Sequence, residues 1–130
     1  MAFIPEMPEA ARRDLQAAEQ LDAGPRRDVA GYLYGIAAEC AIKEMVKAVS
    51  VPTEHGKKAI LYAHFPKLRT LLRDAFDRRR VRPVWTIIMN HRFMHDWDVA
   101  MRYADARQIP DEWVDDWKQQ AKDIVGAMGT

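Results

Sequence analysis

Residues 31–43 of the chain read GYLYGIAAECAIK, a run of small and apolar side chains interrupted by few charges. Apolar positions recur here, and on both sides, at three- and four-residue steps, which places them on one face of an α-helix. We therefore predict a central helix over about residues 27–49. Its predicted inward residues are Val29, Leu33, Ile36, Ala37, Cys40, Ala41 and Val46. Because Gly31, Gly35 and several alanines make this helix narrow, we expect neighbouring backbones to approach it closely.

Further helical patterns lie on either side of this segment. Apolar spacing and Pro or Gly boundaries predict helices over residues 8–21, 66–79, 83–95 and from 110 onward. Residues 50–63 contain Pro52 and Gly56, so we predict a connection with at most a short helical turn. Residues 97–103 alternate apolar and polar, which favours an extended segment packed on the helices. The fold prediction is all-α, an antiparallel bundle of four or five helices in a single domain covering residues 1–130.

Composition restricts the classes of function. The 130 residues include 20 Lys and Arg against 19 Asp and Glu, a net charge of +1 that excludes nucleic-acid binding through bulk charge alone. The single cysteine, Cys40, excludes an internal disulfide and a multi-cysteine zinc site and fits a reducing compartment. We see no signal peptide or membrane-spanning run and expect a cytoplasmic protein. We expect no cofactor and no bound metal.

Positive charge is concentrated locally. Residues 67–82 carry seven basic side chains against two acidic ones, ending in an arginine strip formed by Arg78, Arg79, Arg80 and Arg82. Such a strip can bind phosphates with an affinity that falls with salt. Alternatively, its cations are solvated and favour the negative end of a helix dipole. A third alternative pairs the strip with the acidic residues between 105 and 116 across a homodimer.

Residues 90–97 form the densest group of chemically active side chains. On the predicted helix, His91 and His95 lie one turn apart and face the same way, so they can share a proton or a phosphate. A histidine that accepts a proton from a ribose 2′-hydroxyl, with Arg92 or Arg102 stabilising the negative charge, would make a ribonuclease. The alternative is that these residues form hydrogen bonds that fix the segment 97–103. Two histidines without a further ligand or a base make a metal site a weak hypothesis.

Two charged residues lie within the central helix. Glu39 and Lys43 are spaced for a helical ion pair and have apolar neighbours, so we expect partial burial and a partner such as Arg102. Cys40 reads as a small core residue. In the last helix, Trp113 and Trp117 form either an exposed partner surface or part of the core.

Several of these residues carry a family resemblance. Residues 31–43, with Gly-Tyr, a small-residue stretch, Ala-Glu-Cys and then Lys, resemble the corresponding helix of HEPN domains. Residues 64–68 (HFPKL) are similar to the family's histidine-containing entry to the next helix, and Trp97 followed by Arg102 and Tyr103 is similar to a feature of one branch. The resemblance covers about residues 27–103. It implies a small antiparallel helical bundle, usually a homodimer, often encoded beside a nucleotidyltransferase partner in bacterial toxin–antitoxin or defence systems.

Many HEPN proteins are metal-independent ribonucleases with an arginine five to seven residues before a histidine, and no histidine of this chain has that arginine. Our first hypothesis is therefore a HEPN-like module that binds RNA, a nucleotide or a protein partner. The second is a ribonuclease, and the third is a purely structural interaction protein. Candidate catalytic residues are His91, Arg92, His95 and Arg102; candidate binding residues are Arg78, Arg79, Arg80, Arg82, Glu39, Lys43 and Tyr103.

Overall fold

The computed structural model describes residues 3–47, 54–75 and 82–128. These residues are helical with connecting turns, and they contain no β-strand, so the all-α prediction is confirmed. The α-helices are α1 (Met7–Asp22), α2 (Arg27–Val46), α3 (Glu54–Tyr62), α4 (Lys67–Ala75), α5 (Arg82–Ile88) and α6 (Asp111–Ala127). Two short 3-10 helices, Val99–Tyr103 and Ala106–Gln108, lie between α5 and α6.

Helix α2 is the centre of the fold. It packs along α1 on one side and along α6 on another, and about half of its residues are buried. Four residues separate α1 from α2, a short connection of the kind that joins neighbouring antiparallel helices. Fully buried alanines line the contact, including Ala11 and Ala18 of α1 and Ala30 and Ala38 of α2. Small side chains therefore bring these helices together.

The two glycines of α2 admit indole rings. A Cβ atom at Gly35 would overlap the Trp97 ring, and one at Gly31 would lie 3.0 Å from the Trp117 ring. Trp97 also donates a hydrogen bond from Nε1 to the Gly31 carbonyl over 3.1 Å. We expected neighbouring backbones to approach this helix, but at these two positions the approaching groups are tryptophan side chains.

Helix α3 corrects the prediction that residues 50–63 form a connection. The segment from Glu54 to Tyr62 is helical over nine residues, with Ile60 buried. A single glycine, Gly56, costs a helix only about 1 kcal/mol, which packing of the apolar side offsets. The glycine was therefore weaker evidence against a helix than we assumed.

The predicted helix over 83–95 is wrong beyond Ile88. Asn90 begins a turn in which its side chain accepts a hydrogen bond from the Arg92 backbone N–H over 3.0 Å. Met94 and Asp96 then take positive φ values of 51° and 63°, which a helix does not allow. Residues 91–96 form this turn, so His91 and His95 do not share a helix face.

The prediction of an extended segment over 97–103 is also wrong. Val99–Tyr103 forms a 3-10 helix, capped by the Asp98 side chain, which accepts a hydrogen bond from the Ala100 N–H over 2.8 Å. The alternation of apolar and polar residues did not distinguish the two structures, because a short 3-10 helix with a side-chain cap is compatible with the same alternation as a strand. The expected packing on the helices holds, since Trp97 is buried.

The tryptophans of α6 belong to the core. Trp117 is fully buried and Trp113 is half-buried against the same cluster, which corrects the hypothesis of an exposed surface at Trp117. Among the described residues, no helix is both long and apolar enough to cross a membrane.

Candidate functional site

A buried carboxylate lies at the centre of the molecule. The Glu39 side chain on α2 is only 1% exposed. One of its oxygens, Oε2, accepts a hydrogen bond from the Phe65 backbone N–H over 2.6 Å, and Oε1 lies 2.8 Å from Nδ1 of His64. The burial predicted for Glu39 is confirmed, but these partners come from the segment between α3 and α4, and not from Arg102.

Burial controls the titration of this pair of charged residues on α2. Desolvation raises the pKa of Glu39 above its ordinary value, although the hydrogen bonds from His64 and Phe65 act in the opposite direction. Desolvation likewise lowers the pKa of Lys43, against the attraction of Glu39. Burial therefore disfavours the charged form of both residues.

His64 is fixed in orientation by this contact. An ionised carboxylate only accepts hydrogen bonds, so with Glu39 ionised the Nδ1 atom of His64 is the donor, and in the neutral ring this tautomer leaves Nε2 as an acceptor. The side chain is partly exposed and lines a groove of about 640 Å³. The remaining lining residues are Ala59, Tyr62, Ala63, Phe65, Pro66, Lys67, Leu71, Asp98 and Val99.

A second surface combines aromatic rings with a cation. The Tyr32 ring stacks on Trp97 with centroids 5.8 Å apart and an angle of 12° between the planes. The Arg102 guanidinium carbon lies 5.8 Å from the Tyr32 ring centre and 5.7 Å from that of Tyr103. The Tyr103 side chain is 84% exposed. We call Tyr32, Arg102 and Tyr103 the aromatic–arginine surface.

Of the residues proposed as a histidine site, His95 and Arg92 contact Asp116 of α6. Both ring nitrogens of His95 face carboxylates, with Nδ1 3.0 Å from Asp96 and Nε2 2.9 Å from Asp116. Each ring nitrogen of His95 is therefore occupied by a carboxylate contact. His91 and Arg92 are exposed in the turn, where Arg92 lies 3.8 Å from Asp116.

Arg102, the fourth candidate catalytic residue, lines a different pocket from His91 and His95. The two histidines line a groove of about 440 Å³ together with Arg69, Pro66 and other residues near the turn. Arg102 lines a pocket of about 250 Å³ with Arg26, Asp28 and Tyr32. The structure thus separates Arg102 from the pocket that the two histidines line, whereas Arg92, the other proposed anion stabiliser, lies in the same turn as the histidines.

Arg78, Arg79 and Arg80 of the arginine strip lie outside the described residues, and so does the side chain of Arg82 at the start of α5.

The single cysteine is a core residue. Burial raises the pKa of the Cys40 thiol to about 11, which suits its packing against the core. The described residues contain no group of three or more His, Cys, Asp or Glu arranged to hold a metal ion.

Sequence reasoning did not place His64 or Tyr32 among the site residues. His64 is 25 positions from Glu39, and Tyr32 is 70 positions from Arg102, so only the tertiary fold brings the partners together. The available signal was Glu39, a charged residue surrounded by apolar positions, which required a partner somewhere in the chain.

Comparisons of the chain with protein-family models, with curated proteins and with solved structures give no match.

Proposed function

We propose that the chain is a HEPN-like helical module that binds single-stranded RNA or nucleotides through the aromatic–arginine surface. The observation that carries the proposal is the Arg102 guanidinium lying against the rings of Tyr32 and Tyr103. Residues 31–43, Trp97, Arg102 and Tyr103 also carry the sequence resemblance to HEPN domains. The resemblance and the surface therefore draw on the same part of the chain.

The chemistry of this surface suits a nucleotide. A guanidinium offers five N–H donors in a planar fork that matches phosphate oxygens, and the Arg102 bond to the Val99 carbonyl uses one of them. An exposed aromatic ring offers a face on which a base can stack, worth about 1–3 kcal/mol per base. Arg102 and Tyr103 together thus supply one phosphate contact and one stacking contact.

The proposal is tested by fluorescence anisotropy with a labelled single-stranded RNA of about 12 nucleotides. Arg102→Ala and Tyr103→Ala are each expected to weaken binding about 5- to 100-fold, and Arg102→Ala should reduce the salt slope by about one. Arg102→Lys should bind between wild type and Arg102→Ala, because it keeps the charge and loses the planar fork. The matched control is Arg107→Ala, an exposed arginine on the neighbouring 3-10 helix that pairs with Asp105. Absence of binding by the wild type, or equal binding by Arg102→Ala, would refute the proposal.

We also infer from the resemblance that the chain is a cytoplasmic homodimer in a toxin–antitoxin or defence system, with a nucleotidyltransferase-type protein as its partner. Light scattering of the purified chain tests the dimer directly. A mass near the 15.0 kDa of one chain at micromolar concentration would contradict it.

A further inference from the structure

The groove beside His64 is separate from the aromatic–arginine surface and combines three features. Its histidine has one ring nitrogen fixed by a carboxylate that is almost completely buried. Its walls are mainly apolar, and its volume is about 640 Å³. A concave apolar site with a few convergent polar groups is the usual form of a small-molecule site.

The contact between Glu39 and His64 has the form of an oriented general base. The carboxylate holds the ring through Nδ1, which leaves the Nε2 lone pair to accept a proton. Glu39 is itself held in place by the Phe65 backbone N–H. Each group in this chain of hydrogen bonds is positioned by the next, which is what a base requires to act repeatedly in one geometry.

The lining residues indicate the chemical class of substrate. The described lining carries one Lys, Lys67, and one Asp, Asp98, of opposite charge, so with a neutral His64 an anionic substrate gains no net attraction from it. Ala59, Leu71 and Val99 offer apolar contact. The described lining contains no serine or cysteine, and we take water as the nucleophile that His64 would activate.

We propose that this groove hydrolyses neutral carboxylic esters that carry an apolar acyl group, with His64 as the general base and Glu39 as its positioning residue. His64 Nε2 removes a proton from water while the water oxygen bonds to the ester carbonyl carbon. The tetrahedral intermediate then collapses, the bond from the carbonyl carbon to the alkoxy oxygen breaks, and the proton on Nε2 passes to the leaving oxygen. The products are a carboxylic acid and an alcohol, and no oxidant or cofactor is consumed.

The test uses p-nitrophenyl butyrate and the full chain. His64→Asn keeps an N–H that can donate to Glu39 and removes the base, so we expect kcat to fall about 100-fold or more. Glu39→Gln keeps an oxygen for the Phe65 N–H and should lower kcat with little change in KM. Glu19→Gln is the matched control for Glu39→Gln, an exposed glutamate of α1 outside the groove lining, and it should hydrolyse the ester like wild type.

A second measurement does not depend on how the variants fold. In wild-type protein, the nitrogen chemical shifts of His64 should show the proton on Nδ1 and none on Nε2 at a pH where the ring is neutral. A proton on Nε2, undiminished hydrolysis in His64→Asn, or no hydrolysis by the wild type would each overturn the proposal. RNA binding by Arg102 and Tyr103 is measured on other variants, so either proposal can fail alone.

Discussion

Gly35 has no side chain, and the Trp97 ring occupies the space that a side chain would fill. The indole ring lies where a Cβ atom would be, and Trp97 is almost completely buried between α2 and the rings of Tyr32 and Phe65. Trp97 also immediately precedes the capped 3-10 helix that carries Arg102 and Tyr103. One glycine thus fixes the position of the segment on which the proposed nucleotide contacts depend.

Gly35→Ala should destabilise the protein by about 1–3 kcal/mol or more, because the new methyl group forces Trp97 out of a packed site. The gain in helix propensity, about 1 kcal/mol, is smaller than this cost. Urea unfolding measures the effect. The matched control is Gly126→Ala in α6, where a Cβ atom meets nothing within 4 Å and the propensity gain should appear as a small stabilisation. Equal stability of the two variants would mean that Trp97 does not require the glycine.

The sequence predicted the burial of Glu39 but not the residue that pairs with it. The burial of Glu39 follows from its apolar neighbours on α2, a local pattern that sequence displays. The identity of its partner could not be predicted in this way, because His64 lies 25 residues away in the segment between α3 and α4, and only the tertiary fold brings it to Glu39. Arg102, the partner we expected, instead contacts tyrosine rings.

At the scale of elements, the turn over residues 91–96 is held from outside by α6. Gln120 accepts a hydrogen bond from the Met94 N–H and donates one to the Arg92 carbonyl, both over 2.8 Å. Trp117 donates from Nε1 to the His95 carbonyl over 2.9 Å. These bonds satisfy backbone groups of the turn itself, which has no helical hydrogen-bond partners for them.

This explains why the end of α5 was not predictable from local sequence. Residues 89–95 have helical apolar spacing, and nothing in their composition requires Met94 to adopt a positive φ. The competing hydrogen bonds come from α6, more than 20 residues later in the chain. The existence of the long central helix α2 was predictable because its apolar spacing is internal to the element, but its inward face was predicted only in part. Ala37, Ala41 and Val46 are buried as expected, Leu33, Ile36 and Cys40 are partly buried, and Val29 is exposed.

Gln120→Ala should destabilise the protein by about 1–2 kcal/mol, since it removes two hydrogen bonds to the turn and leaves the Met94 N–H, a half-buried contact, without its acceptor. Thermal unfolding followed by circular dichroism measures this loss. Gln119→Ala, one residue earlier on α6, is the control, because among the described residues Gln119 bonds to the exposed Asp123 and its loss should cost less than about 0.5 kcal/mol. If Gln120→Ala and Gln119→Ala unfold at the same temperature, the Gln120 hydrogen bonds do not stabilise the turn.

At the scale of the whole molecule, one charged network joins α1, α2 and α6. Arg27 at the start of α2 pairs with Asp22 of α1 over 2.6 Å and with Asp111 and Asp115 of α6. The Tyr34 hydroxyl donates to the other oxygen of Asp22 over 2.8 Å. Asp22 is nearly buried whereas Asp115 is exposed, so the two carboxylates differ in how strongly water screens them.

Asp22 should therefore make stability depend on pH. Burial works to raise its pKa, but the hydrogen bonds from Arg27 and Tyr34 and the charge of Arg27 outweigh this and hold the pKa below its ordinary value. A carboxyl with a lowered pKa binds fewer protons when folded than when unfolded, so its stabilisation is complete above about pH 4 and is lost as pH falls through the folded pKa. The Asp22→Asn variant has no carboxyl to titrate at this position. Its free energy of unfolding should therefore be lower than that of wild type by on the order of 2 kcal/mol at pH 7, and this difference should shrink progressively below about pH 4.

Urea unfolding of wild type and Asp22→Asn at a series of pH values from about 3 to 7 measures this difference. Asp115→Asn is the matched control, because it removes a carboxylate from the same arginine at an exposed position, and its cost should stay below about 1 kcal/mol at every pH. Equal costs for the two variants would mean that burial does not strengthen the Asp22 pair. A difference between wild type and Asp22→Asn that stays constant down to pH 3 would mean that the three helices are held together without a contribution from the ionisation of Asp22.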